Sequence, residues 1–84
     1  MFLHVDSVKH LRDFVLRVEL SDGSAVIVDL ADDLDGEVFE PLRDPRLFQE
    51  VRVNPETGTI EWPNGADLAP EFLRKIGKDA EQVA

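Results

Sequence analysis

The residues able to do chemistry are few, and their spacing decides what each could do. His4 and His10 are the only histidines. A strand and a polar connection separate them, so nothing places the two imidazoles together on a metal or a proton relay. Ser7, Ser21 and Ser24 lack both the strand-to-helix elbow and the neighbouring base that activate a hydroxyl nucleophile. No glycine-rich phosphate loop is present. With no cysteine, thiolate metal sites and disulfides are both excluded. The run Ala31-Asp32-Asp33-Leu34-Asp35-Gly36 invites a calcium reading. Aligning Gly36 with the glycine of an EF-hand loop puts Ala31 at the first ligand and Leu42 at the bidentate glutamate, so both essential oxygens are missing. The sequence therefore predicts no metal, no cofactor and no catalytic residue. Its carboxylates are expected in a solvated loop and at helix caps.

Two stretches remain as candidate contact surfaces. Asp32, Asp33, Asp35, Glu37 and Glu40 follow one another with no basic residue among them, and such a field steers a basic partner. Ile27, on the polar side of its strand, is the alternative contact. The other stretch is Trp62-Pro63-Asn64-Gly65-Ala66-Asp67. As a recognition loop it would use Trp62 as anchor and Asn64 and Asp67 as polar contacts. As a structural turn, the expected role, Trp62 fills the core, Pro63 ends a strand, Asn64-Gly65 reverses the chain and Asp67 accepts from nearby amides.

Eighteen acidic against nine basic residues give a net charge of −9. Nucleic-acid binding draws on Lys and Arg that neutralise phosphates, so this balance predicts no direct DNA or RNA contact. The same field would favour a basic protein partner and also simply maintains solubility; a protein partner is expected, and self-association is left open. No apolar run is long enough to cross a membrane, and Met1-Phe2-Leu3-His4 does not open a signal peptide. The expected location is the cytoplasm.

The elements that must position these residues follow from periodicity. Residues 3–9 read as a strand in which the break in alternation between Val5 and Val8 suggests a bulge or an early end, and Lys9 to Asp13 as a polar connection. Phe14, Leu16, Val18 and Leu20 alternate with polar neighbours as a strand with one buried face. Ser21-Asp22-Gly23 turns the chain into Ala25–Leu30. A two-residue turn would set Leu16 against Asp29, whereas a three-residue loop with left-handed Gly23 pairs Val18 with Val26 and Leu16 with Val28. The second register is expected, and it leaves Ile27 beside Arg17 and Glu19. Between Ala31 and Asp44 the pattern is helical but broken by Gly36 and Pro41. Asp44-Pro45 then caps a short helix. Asn54 facing Thr59 sets Val53 against Ile60 and Val51 against Trp62 in a second hairpin. The last helix starts at Pro70 and stops at Gly77, and residues 79–84 are expected to fray. The fold class is α+β: an antiparallel sheet of two hairpins plus the N-terminal strand, covered by short helices, in one domain over residues 1–78.

The order Ser21-Asp22-Gly23, Phe39, Leu42-Arg43-Asp44-Pro45, Leu47-Phe48, Val51-Arg52-Val53, Gly58-Thr59-Ile60 and Trp62-Pro63-Asn64-Gly65-Ala66-Asp67-Leu68 resembles domain of unknown function family 2442 over residues 3–77. The resemblance implies a small prokaryotic α+β accessory domain without an established activity, often encoded beside another small protein as toxin–antitoxin pairs are. Some similar proteins are fused to a helix-turn-helix DNA-binding domain. This chain stops at Ala84 without room for one, which is a second reason to expect no DNA contact. Similar sequences carry Asp or Ser before the proline of the last helix, where this one has Ala69. The functional expectation is a non-catalytic, antitoxin-like interaction module that binds a basic protein. The alternatives are a small-ligand or regulatory binding domain and a carboxylate-using enzyme.

Overall fold

Strict alternation around a tight turn sets the register of the first hairpin. In the computed structural model, which describes residues 2–80, strand β2 (Val15–Leu20) pairs antiparallel with β3 (Ala25–Asp29). Val18 lies opposite Val26 and Leu16 opposite Val28, the expected three-residue-loop register. Gly23 has φ +89°, a conformation that strains any residue with a Cβ. The loop closes through Leu20 N–H donating to Ser24 O at 2.8 Å. Asp22 Oδ1 accepts from Ser24 N at 2.9 Å and Ser24 Oγ at 2.6 Å. These bonds, the hydroxyl one foremost, hold the Asp22 carboxyl below its ordinary value, with attraction to Arg74 adding to the effect. Their contribution to stability is present at neutral pH. It is lost as pH falls from the ordinary carboxylate value through the lowered one.

Strand β1 (Val5–Arg12) runs further than its sequence suggests. Lys9 to Arg12, expected as a connection, continue the ladder with β2, and the reversal is made at Asp13 with φ +40°. The expected bulge lies between Val5 and Ser7, and a second irregularity lies between His10 and Arg12.

The second hairpin joins β4 (Arg52–Asn54) to β5 (Thr59–Glu61), with Asn54 opposite Thr59 and Val53 opposite Ile60. It does not extend the first sheet. With β6 (Asp67–Leu68) it forms a separate three-stranded sheet of order β4-β5-β6. The four-stranded sheet has the order β1-β2-β3-β7, completed by β7 (Lys78–Asp79) on β3. The sequence signalled neither two-residue strand, because two residues contain no period to read. Asp79, expected to fray, is therefore paired, and 81–84 of the expected frayed tail lie outside the described residues.

Helical turns fill the space between the sheets. A 3-10 turn covers Glu40–Arg43, and α1 (Pro45–Phe48) is capped by Asp44 Oδ1, which accepts from Arg46 N at 3.0 Å. Helix α2 (Pro70–Ile76) starts at Ala69 without a side-chain cap. It buries Leu73, and Arg74 reaches back to form an ion pair with Asp22. Gly77 ends α2 for a reason the sequence does not reveal. Its φ is −73°, so no left-handed turn demands glycine. A Cβ there would instead lie 2.7 Å from Leu73 O and 2.8 Å from Val26 Cβ. The core gathers Leu16, Val18, Leu20, Val26 and Val28 from the first hairpin with Leu34, Leu42, Phe48, Ile60, Trp62 and Leu73.

Gly23 and Gly77 are thus required for opposite reasons. Nothing lies within 4 Å of a Cβ at Gly23, and Asn tolerates positive φ. Gly23→Asn should cost less than about 1 kcal/mol and Gly77→Asn about 1–3 kcal/mol by overpacking. Urea midpoints in the reverse order would contradict both assignments.

Candidate functional site

Two buried leucines and three polar clamps hold the acidic segment. Leu34 and Leu42 point into the core, while Asp32, Asp33, Asp35, Glu37 and Glu40 are all exposed. Asp33 N donates to Leu30 O at 2.9 Å and Glu40 N to Gly36 O at 2.8 Å. Arg43 Nε donates to Leu34 O at 3.0 Å, and its Nη2 reaches Asp35 at 2.8 Å. Asn64 Nδ2 donates to Val38 O at 2.8 Å from 26 residues away. Val38 itself is 46% exposed. The segment therefore presents an apolar side chain between Glu37 and Glu40 on backbone that is fixed at several points. Asp35 is the one acid of the five whose charge is offset by a neighbouring guanidinium.

The second candidate stretch divides. Trp62 is 1% exposed and donates its Nε1–H to Phe48 O at 2.8 Å, so its ring belongs to the core and the recognition-anchor role does not fit it. Asn64 uses both ends of its amide, with Oδ1 accepting from Ala66 N at 3.2 Å and Nδ2 holding Val38 O. The local amide that Asp67 was expected to satisfy is thus held by Asn64. Asp67 is exposed in β6, opposite Glu61. Sequence reasoning missed that Asn64 ties this turn to the acidic segment, so the two candidates form one continuous surface region.

Ile27 is half-buried on the face of the four-stranded sheet away from the core, opposite Arg17 on β2 and Lys78 on β7. His4 lies 3.1 Å from Asp6. His10 Nε2 is 2.8 Å from Asp13 O, and its ring stands edge-on to Phe48. Among the described residues, no three His, Cys, Asp or Glu side chains group to hold a metal ion. A surface hollow of about 540 Å³ is lined by Asp6, Arg17, Glu19, Asp79 and the Gly23-Ser24 turn, among others.

A family model described as "Protein of unknown function (DUF2442)" matches residues 5–79. Among solved structures, the chain is similar to the crystal structure of "Putative DNA Binding Protein NE0471" from Nitrosomonas europaea, with 26% identity and a TM-score of 0.79. The match covers 99% of this chain and 52% of that one, so this chain spans about half the length of the protein it resembles. No curated protein matches. The name of the Nitrosomonas europaea protein overturns the expectation that nucleic acid can be set aside. That expectation rested first on net charge, which averages over the whole surface and does not report how charge is distributed.

Burial of Trp62 has a direct optical consequence. Its emission should be blue-shifted from that of free tryptophan in the folded protein, and Trp62→Ala should cost about 3–5 kcal/mol. An emission maximum like that of the free amino acid would show a solvated indole and return Trp62 to the surface loop.

Proposed function

The chain belongs to the DUF2442 family, and from that premise we propose that it is a small, non-catalytic accessory module that docks a basic protein through its acidic segment. The observation that carries this reading is the contrast between exposed charge and anchored backbone. Asp32, Asp33, Glu37, Glu40 and Val38 are all exposed, while Leu34, Leu42, Arg43 and Asn64 hold the chain. A prepositioned charged segment speeds encounter and avoids the cost of ordering a loop on binding. This is the character expected of an antitoxin-like partner of another small protein in the cytoplasm. No described helix is long and apolar enough to cross a membrane.

The Nitrosomonas europaea protein supports a nucleic-acid setting for this activity. Surfaces that grip phosphates are rich in Lys and Arg, and an acidic segment is complementary to such a surface. In this reading the module pairs with a basic, DNA-associated protein.

The structure identifies which charges to reverse. Asp35 should be left in place, because its reversal would also break the ion pair with Arg43. Asp32→Lys, Asp33→Lys and Glu37→Lys together should slow association with the basic protein recovered on the wild-type bait by about tenfold at low salt. The melting temperature should barely change. The difference should shrink above about 0.15 M salt, where charge acts over only about 8 Å. Equal association rates for wild type and triple variant in about 20 mM salt, a condition in which the screening length is long, would contradict the proposal.

A further inference from the structure

The registers of the four-stranded sheet align three cations in one row. Lys9 on β1 is opposite Arg17 on β2, Arg17 is opposite Ile27 on β3, and Ile27 is opposite Lys78 on β7. With strands spaced about 4.8 Å apart, the row runs about 14 Å across the sheet. Leu16, Val18, Val26 and Val28 point the other way into the core, while buried Val15 shares the face of the row. Lys9 and Lys78 are exposed, and the Arg17 side chain is partly so. Like charges directly opposite on adjacent strands destabilise a sheet, yet Lys9 and Arg17 occupy such a pair in a protein of net charge −9. The Arg17 guanidinium is paired with Glu19 at 2.8 Å, and Asp6 and Asp79 line the hollow beside it.

We infer that this row is a docking surface for a nucleic-acid phosphate backbone, separate from the acidic segment and on a different part of the molecule's charge distribution. Charge complementarity favours that occupant, and the flanking residues restrict its path. On one side the next row is Ser7, Glu19 and Ala25, and on the other it is Arg12, Val15 and Asp29. Acids therefore lie on both sides of the row. Asp29 is turned to its own chain, accepting from Ala31 N at 3.0 Å. A single backbone running across the strands meets Lys9, Arg17 and Lys78 in succession, with Arg12 beside them, and competes with Glu19 for the Arg17 guanidinium. A broad acidic protein surface would meet Glu19 and Asp29 as well. Ile27 and the buried Val15 lie beside Arg12 and Lys78 on this face.

The test is fluorescence anisotropy of a labelled 20-bp DNA duplex against the full chain between about 20 and 200 mM salt, the range over which counterion release is measured. Binding at low salt should weaken by tenfold or more in the double variant Lys9→Gln, Lys78→Gln. The slope of log K against log salt should fall by about 1.8, since each phosphate contact contributes about 0.9. Glu19→Gln frees Arg17 and should tighten binding, an opposite change that loss of folding could not produce. Absence of duplex binding at the lowest salt, an unchanged slope in the double variant, or displacement of the duplex by polyglutamate at equal charge concentration would overturn the inference. The triple reversal in the acidic segment leaves this row intact, so the result is independent of the protein-docking proposal.

Discussion

The whole arrangement depends on how Phe48 joins the two sheets. Its ring meets Phe14 from the first hairpin at 5.2 Å, nearly perpendicular, and Trp62 from the second at 5.6 Å. Its carbonyl takes the buried indole N–H of Trp62. The short helix that carries Phe48 is too brief to be stable alone and is held by the Asp44 cap and this contact. Aromatic pairs of this kind add about 0.5–1.5 kcal/mol beyond the area they bury. Here they also fix the orientation of each hairpin relative to the other. A backbone bond reinforces the junction, Val5 N–H donating to Gly58 O at 2.8 Å and tying β1 to the turn of the second hairpin.

A rigid base gives the surface charge its meaning. The acidic segment bridges the first hairpin and the helical turns, and its leucines enter the same core that Phe48 closes. Asn64 extends the constraint from the second sheet to Val38. On the opposite face of the larger sheet, register alone brings Lys9, Arg17 and Lys78 into a row. The acidic segment carries five acids, of which Asp35 is paired with Arg43, while the uncovered sheet face sets Lys9, Arg17 and Lys78 between Glu19 and Asp29. Net charge describes the long-range field. Contacts at physiological salt depend on charge within about 8 Å.

The legible parts of the fold were those with a period long enough to read. The first hairpin's register followed because a one-residue slip would have set Leu16 against Asp29. The Asp44-Pro45 start and the Val53–Ile60 pairing followed from local chemistry. The separation into two sheets did not, because nothing in either hairpin says which edge it joins. The acidic segment was visible as composition, but its anchorage by Asn64 was not, since a single amide reaching a carbonyl 26 residues away leaves no pattern. The cationic row was concealed because it needs the pairing of Lys9 with Arg17 and the two-residue strand β7 that carries Lys78, which has no period to read.

The central claim is that the acidic segment is presented on ordered backbone. Amide hydrogen exchange tests it most directly, at Asp33 and Glu40, whose N–H groups are bonded to Leu30 O and Gly36 O. The account predicts that both exchange at least about a hundredfold more slowly than unstructured peptide, a protection that corresponds to about 2.7 kcal/mol for local opening. Exchange of both amides at the unstructured rate, while those of β2 and β3 stay protected, would show a loose loop and contradict the claim.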